Sequence, residues 1–320
     1  MNKQFINTSY GDLPIILSSP HGGDRITFEK DGHLIRPASR PDAAPANYPY
    51  DYSLFPDSKT NNLSQRIVER IGRLSGGRRP YQIRTLFNRR LVDVNRPVEY
   101  ALPHQPGVDT KLNRAMYNSY HKTLQQMIRS VKNKFRGKPI IIIDLHSHFR
   151  DSPKSSQTTG QKLSTILVGT QDGSTLNKIS QEQLRRAFLG PLKETLNHRL
   201  PQMGLPGARI KETLSKGYIE KLYSQPPYQA DVIQIEFGDL LNLTDQIRRA
   251  VASAMAEALY DFSQSLEAEH YRDDDRDDHR KDYRQDQRHD QKRTYDQDHR
   301  QDYHKQQKDY RKDYQPKRTF

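Results

Sequence analysis

Apolar residues along this chain fall into short runs and helical stripes that alternate with one another. Leu13-Pro14-Ile15-Ile16-Leu17 reads as a short buried strand. Leu63, Ile67, Val68, Ile71 and Leu74 then recur at helical spacing, and Gly76-Gly77 supplies a terminator. Tyr81 to Phe87 reads as a second strand. Leu112, Met116, Tyr120, Leu124, Met127 and Val131 mark one side of a long helix from about Thr110 to Phe135. Pro139-Ile140-Ile141-Ile142-Ile143 is the continuous apolar run of a central strand covered on both faces. Further strands are expected at Ser164 to Gly169, at Arg209 to Leu214 and at Val232 to Phe237. Helices are expected at Ser180 to Leu200, broken at Pro191, and at about Asp245 to Leu266 with Thr244 as its cap. Two long stretches read as loops: Thr27 to Asp57, with prolines at 37, 41, 45, 49 and 56, and Lys216 to Ala230.

Strands that alternate with helices predict a three-layer α/β/α sandwich on a mixed, mostly parallel sheet. In such folds ligands bind beyond the carboxyl ends of the strands. Three strand ends carry unusual polar residues. The first strand runs into Ser18-Ser19-Pro20-His21-Gly22-Gly23-Asp24, where two glycines permit a close turn. The second leads to Asn88-Arg89-Arg90-Leu91-Val92-Asp93-Val94-Asn95-Arg96. The central strand ends in Asp144-Leu145-His146-Ser147-His148, whose alternation sets Asp144, His146 and His148 on one face.

Composition changes the picture at the C-terminus. From about Arg272 the chain is almost entirely Asp, Arg, Lys, Gln, His and Tyr, which cannot bury enough apolar surface to offset ordering entropy. The sequence therefore predicts a catalytic-sized domain over 1–268 and a disordered, charged, low-complexity tail over 269–320. The tail is a polyampholyte, read first as a solubilising extension. Its interleaved Tyr and Arg could also contact RNA weakly, and its histidines could hold metal loosely.

The net charge is +13, from 52 basic and 39 acidic residues. That excess suits an anionic small substrate as well as nucleic acid, and the basic residues are scattered without a nucleic-acid-binding motif. The sequence has no cysteine, which excludes disulfides, thiolate metal sites and cysteine nucleophiles. The first residues lack the apolar core of a signal peptide, and no run approaches a membrane span. A cytoplasmic protein without membrane partners is expected.

Catalytic zinc takes three ligands from His, Asp or Glu and keeps a fourth position for water. His21, Asp24 and His146 could supply two imidazoles and a carboxylate, with His148 competing for the role of His146. A hydrogen-bonded structural histidine is the competing explanation for each. Glu236 interrupts the apolar strand Val232 to Phe237, where a carboxylate is costly unless paired or functional. It reads either as an edge or salt-bridged glutamate or as a general base beside a metal-bound water. Arg89, Arg90 and Arg96 are either a solvated basic loop or a site for a substrate carboxylate and a developing oxyanion. Asp93 could hold a ligand imidazole through its second nitrogen.

Five segments together resemble the N-formylglutamate amidohydrolase family, within the wider zinc-carboxypeptidase and aspartoacylase-like fold. They are Ser19-Pro20-His21-Gly22-Gly23, Arg89 with Val92-Asp93-Val94-Asn95-Arg96, Asp144-Leu145-His146-Ser147, Gly217-Tyr218-Ile219 and Gln234-Ile235-Glu236, in the family's order over about Leu13 to Phe237. The resemblance implies one zinc per chain held by His21, Asp24 and His146, with Asp93 behind the first ligand. It implies Asn95 and Arg96 on the substrate carboxylate, Arg89 on the oxyanion, Glu236 as general base and Tyr218 on a covering loop. The implied reaction is removal of an N-acyl group, such as formyl, from an acidic amino acid such as N-formyl-L-glutamate. A zinc carboxypeptidase or a peptidoglycan-type amidase is the alternative within the same chemistry, and a non-catalytic scaffold acting through the tail is the alternative outside it.

Overall fold

The computed structural model describes residues 5–30, 33–50, 52–57, 59–104, 107–147, 164–214 and 217–268. The chain divides into two units, Met1–Leu266 and Glu267–Phe320. The expected tail and His148 lie outside the described residues.

In chain order the described residues form β1 (Ile6–Ser9), β2 (Ile15–Ser19), the hairpin β3 (Phe28–Lys30) and β4 (His33–Ile35), α1 (Thr60–Leu74), β5 (Tyr81–Thr85), α2 (Val98–Ala101), α3 (Lys111–Lys134), β6 (Ile141–Ser147) and β7 (Thr165–Gly169). There follow α4 (Gln181–Leu184), α5 (Gly190–Arg199), β8 (Arg209–Thr213), α6 (Tyr218–Ser224), β9 (Asp231–Phe237) and α7 over 245–268. Seven strands form one mixed sheet in the order β1-β5-β2-β6-β9-β7-β8. The central four, β5, β2, β6 and β9, are parallel, and so is the β7–β8 pair. β1 and β7 run antiparallel to β5 and β9 respectively.

Side-chain alternation along the central strands separates the layers. Ile15, Leu17, Ile141, Ile143, Leu145, Ile233 and Ile235 point into one core with α1 and α7. Ile16, Ile142 and Val232 point into the other, with Met116, Tyr120 and Leu124 of α3 and Ile219 of α6. This is the α/β/α arrangement expected. β6 is buried over six of its seven residues, as its continuous β-branched run requires.

Three expectations fail locally. The Thr27 to Asp57 stretch is not all loop, because Phe28–Lys30 and His33–Ile35 pair as a hairpin. The Lys216 to Ala230 stretch contains α6, where Ile219 and Tyr223 anchor a short buried helix face. The helix expected to break at Pro191 does not break. A π-helical turn at Arg185–Leu189 lies directly ahead of the proline, whose ring nitrogen has no proton to give.

Leu17 and Ile143 are register partners on β2 and β6, both fully buried under α1. Ile143→Ala should cost roughly 2–5 kcal/mol of unfolding free energy by denaturant titration, with the slope of the transition unchanged.

Candidate active site

The even-numbered residues at the carboxyl ends of the parallel strands are polar: Ser18 on β2, Asp144 and His146 on β6, Gln234 and Glu236 on β9. Alternation sets them all on the α3 and α6 side of the sheet. His146 and Glu236 are direct register partners.

His21 reaches this wall from just past β2. The chain after it is extended, held by bridges from Gly23 to Asn88 and from Arg25 to Phe87. A Cβ on Gly23 would lie 2.5 Å from the Phe87 carbonyl oxygen, so only glycine allows that approach. The extended backbone decides the fate of Asp24. Residues three apart share a face on a helix but point oppositely on a strand. His21 turns inward and is 1% exposed, while Asp24 is exposed.

The buried carboxylate beside the histidines is Asp57. It stands at the end of the proline-rich segment, three residues before α1, and its backbone N–H donates to the His21 carbonyl at 2.9 Å. His21, Asp57 and His146 each offer a donor atom, and these atoms lie within 4.8 Å of one another. His146 Nδ1 is 2.8 Å and His21 Nδ1 3.5 Å from Asp57 Oδ2. The residues that resemblance implies as ligands are thus divided: the two histidines meet, and Asp24 is not with them. Sequence gave little signal for Asp57, since an aspartate just ahead of a helix reads as a cap.

Each imidazole is held from behind. His21 Nε2–H donates to Asp93 Oδ1 at 2.7 Å, and His146 Nε2–H donates to Asp144 Oδ2 at 2.9 Å. Both Nδ1 atoms are thereby turned toward Asp57. His21 Nδ1 is fully buried with no hydrogen-bond partner. An orphaned ring nitrogen facing a second imidazole and a carboxylate is the donor set of a divalent metal, and carboxylate–histidine pairs of this kind orient metal ligands. The residues present fit such an ion.

The charges are strongly coupled. Burial works to raise Asp57, but the hydrogen-bonded His146 and the neighbouring His21 outweigh it and hold the carboxyl well below its ordinary range. Burial of Asp93 is likewise outweighed, here by Arg89 and His21, so it too is held low. Arg89 donates to Asp93 Oδ2 through Nε and Nη2 at 2.9 Å each, and its Nη1 lies 3.8 Å from Asp57 Oδ1. Arg40, unmarked by any motif, is 2% exposed and approaches Asp93 Oδ2 at 3.5 Å.

Asn95 holds the site to α6. Its Oδ1 accepts from the Ile219 backbone at 2.9 Å, and its Nδ2 lies 3.3 Å from His146 Nε2. Arg96 donates to the Asn95 carbonyl at 2.7 Å, and its guanidinium lies 5.1 Å from the Tyr50 ring centre. Tyr218 opens α6, half-buried, its ring 6.0 Å from His121. Glu236 accepts a hydrogen bond from Gln234 Nε2. Behind them Glu220 is fully buried, and burial with the neighbouring Asp144 charge pushes it up to about 9.

Residues 109–241 match the family model for N-formylglutamate amidohydrolase. The matched segment covers somewhat under half of the chain. It includes Asp144, His146, Tyr218 and Glu236, while His21, Asp57 and Asp93 precede it. The reaction class of the family is hydrolysis of an amide carbon–nitrogen bond, and the chain is a hydrolase of that class. Among solved structures, an N-formylglutamate amidohydrolase from Ralstonia eutropha JMP134 is 16% identical over 81% of this chain and 98% of its own, with a TM-score of 0.49. A gene product of Agrobacterium tumefaciens is 13% identical over 83% of this chain and 96% of its own (TM-score 0.45). A metallo-carboxypeptidase from Burkholderia cenocepacia is 12% identical over 78% of this chain and 56% of its own (TM-score 0.37). Comparison with curated proteins finds no match. No helix among the described residues is long and apolar enough to cross a membrane.

His121 supports the site from behind, giving its Nε2–H to the Val94 carbonyl at 3.1 Å and accepting the Tyr223 hydroxyl at 2.8 Å. Burial pushes it down to about 4. The unfolded chain, with a histidine near 6.5, then binds more protons between those values. Stability is therefore full above about pH 6.5 and falls as pH drops toward about 4. The loss should reach about 3 kcal/mol, by order of magnitude, in denaturant titrations across that range. His121→Gln, which does not titrate, should flatten that part of the profile.

Proposed function

We propose that the chain is a zinc-dependent amidohydrolase that removes an N-acyl group, formyl in the first instance, from an acidic amino acid such as N-formyl-L-glutamate. The observation that carries this reading is the pair of imidazoles, each with Nε2 fastened to a buried carboxylate and Nδ1 turned to Asp57, with Glu236 in register beside His146. His21, Asp57 and His146 would hold one ion. Zinc bound there would polarise the amide carbonyl and acidify a water.

The chain's own residues then have separate tasks. Glu236 is the carboxylate of the wall left outside both the ligand group and the backing pairs. It takes the proton of the attacking water and returns it to the leaving nitrogen. Gln234 orients it. Arg89 keeps Asp93 and Asp57 ionised, and its Nη1 edge is offered to the developing oxyanion. Arg96, set by the Asn95 carbonyl and Tyr50, receives the substrate's α-carboxylate. Asn95 ties that arginine to α6, where Tyr218 covers the substrate.

Protein purified without chelator should carry about one zinc per chain by elemental analysis. Asp57→Asn should lose most of the metal, whereas Asp24→Asn should keep it. Equal retention by both variants would remove Asp57 from the ligand set.

Glu236→Gln keeps shape and loses the base. Zinc should stay bound while kcat on N-formyl-L-glutamate falls by roughly 10²–10⁴. Arg96→Lys keeps charge and loses the planar fork, so it should raise KM for substrates with a free α-carboxylate and leave an amide-capped analogue nearly unaffected. Equal losses on both substrates would take Arg96 out of the carboxylate role.

A further inference from the structure

Behind His146 the hydrogen bonds continue past Asp144. Ser18 and Asp144 are register partners on adjacent parallel strands, and the Ser18 hydroxyl donates to Asp144 Oδ1 at 2.6 Å. The Tyr120 hydroxyl on α3 lies 2.6 Å from Ser18 Oγ. A serine hydroxyl has one proton, and Ser18 gives it to the carboxylate. Tyr120 must therefore be the donor to Ser18. The relay runs one way, from Tyr120 O–H to Ser18 O–H to Asp144 to His146 Nε2–H. Every member is buried, Tyr120, Ser18 and Asp144 completely.

The other histidine is backed differently. Asp93, behind His21, is met by the cationic fork of Arg89 as well as by the Asn95 backbone N–H at 3.1 Å. Asp144 instead takes its second bond from a neutral hydroxyl. A carboxylate neutralised by a guanidinium attracts an imidazole proton less than one steadied by hydroxyls. The two ligand imidazoles thus differ in the push they receive.

We propose that Tyr120 is a positioning residue for the metal, acting through Ser18 and Asp144 to fix the ring plane, tautomer and donor strength of His146. This rests on the reading of His21, Asp57 and His146 as metal ligands. Tyr120 reaches the ligand set through Ser18 and Asp144, its hydroxyl aimed at a strand-end serine from the core face of α3. A phenylalanine would fill the same volume, so α3 could pack without the relay.

The test is zinc affinity, measured on metal-stripped protein by competition with a chromogenic chelator. Removing a partner behind a ligand histidine costs roughly 10–100-fold in metal affinity, and a partner one bond further out should cost roughly 3–10-fold. Ser18→Ala should therefore weaken zinc binding by roughly 3–10-fold, and Tyr120→Phe, one bond further out again, by roughly 2–5-fold. Because the bonds are in series, the double variant should be no weaker than Ser18→Ala alone. The downfield imidazole N–H resonance of His146 in the zinc-loaded protein should move in both single variants, a change that loss of packing alone would not produce. Unchanged zinc affinity in Tyr120→Phe, or losses that simply add in the double variant, would overturn the relay while leaving the metal site standing. A wild-type protein that binds no zinc would overturn the metal reading itself and the relay with it.

Discussion

Burying a charge is tolerable only when another group answers it, and the site is built around that requirement. Three carboxylates and two imidazoles lie almost wholly out of water within a few ångströms of one another: Asp57, Asp93, Asp144, His21 and His146. No single pair balances. Asp93 needs His21 and Arg89 together, and Asp57 draws on both histidines and on the outer edge of Arg89. The consequence is rigidity, since moving any one member strands another. Rigidity is what a ligand set needs, because pre-placed donors spend little on reorganisation when an ion arrives.

The same requirement explains why the proline-rich segment can deliver a ligand from beyond its hairpin, where its described residues form no helix or strand. Arg40 is its pin. The Arg40 backbone N–H donates to the Arg90 carbonyl at 2.8 Å, its guanidinium donates to the Ser53 carbonyl at 3.0 Å and to Tyr48 Oη at 3.2 Å, and it lies over the Tyr52 ring. It also reaches Asp93. The segment is therefore fastened at its middle to the carboxylate that backs His21, and at its end Asp57 is fastened to the His21 backbone. Tyrosines 48, 50, 52 and 100 pack edge-to-face around this pin, which turns a loop into a wall.

How much of this was legible depends on the range of the interaction. The layers were legible, because periods of 2 and 3.6 are local properties: β6 and α3 lie where their apolar spacing placed them. The even-numbered wall followed from the same alternation, and so did the meeting of Asp144 with His146. The pairing of His21 with Asp93 was legible as chemistry, though its geometry depends on β2 and β5 being neighbours. Asp57 was not legible. Its place is set by a backbone bond across 36 residues and by Arg40, and neither leaves a trace in composition or spacing. Asp24 misled for the opposite reason. A spacing of three suggests a shared face only on a helix, and the chain there is extended.

Placing a cluster of polar residues on the central strands has a cost that the fold confines to one face of their carboxyl ends. β6 is apolar through Ile143, and β9, after the buried Asp231 at its start, is apolar at Val232 and Ile233; beyond those positions one face turns polar while the other continues apolar with Leu145, Ile235 and Phe237. The core beneath α1 and α7 thus continues past the polar strand ends, and the even-numbered wall takes its space from the α3 and α6 layer. That layer answers with side chains able to hydrogen-bond: Tyr120, His121, Glu220 and Tyr223 stand where leucines would otherwise suffice. Glu220 fits the same logic. A carboxyl buried beside Asp144 is kept protonated by its surroundings, and so adds no further negative charge to a wall that already carries several. The helix layer therefore does two jobs, closing the hydrophobic core and supplying neutral donors behind the charged strand ends, and the division between them runs along the parity of the sheet.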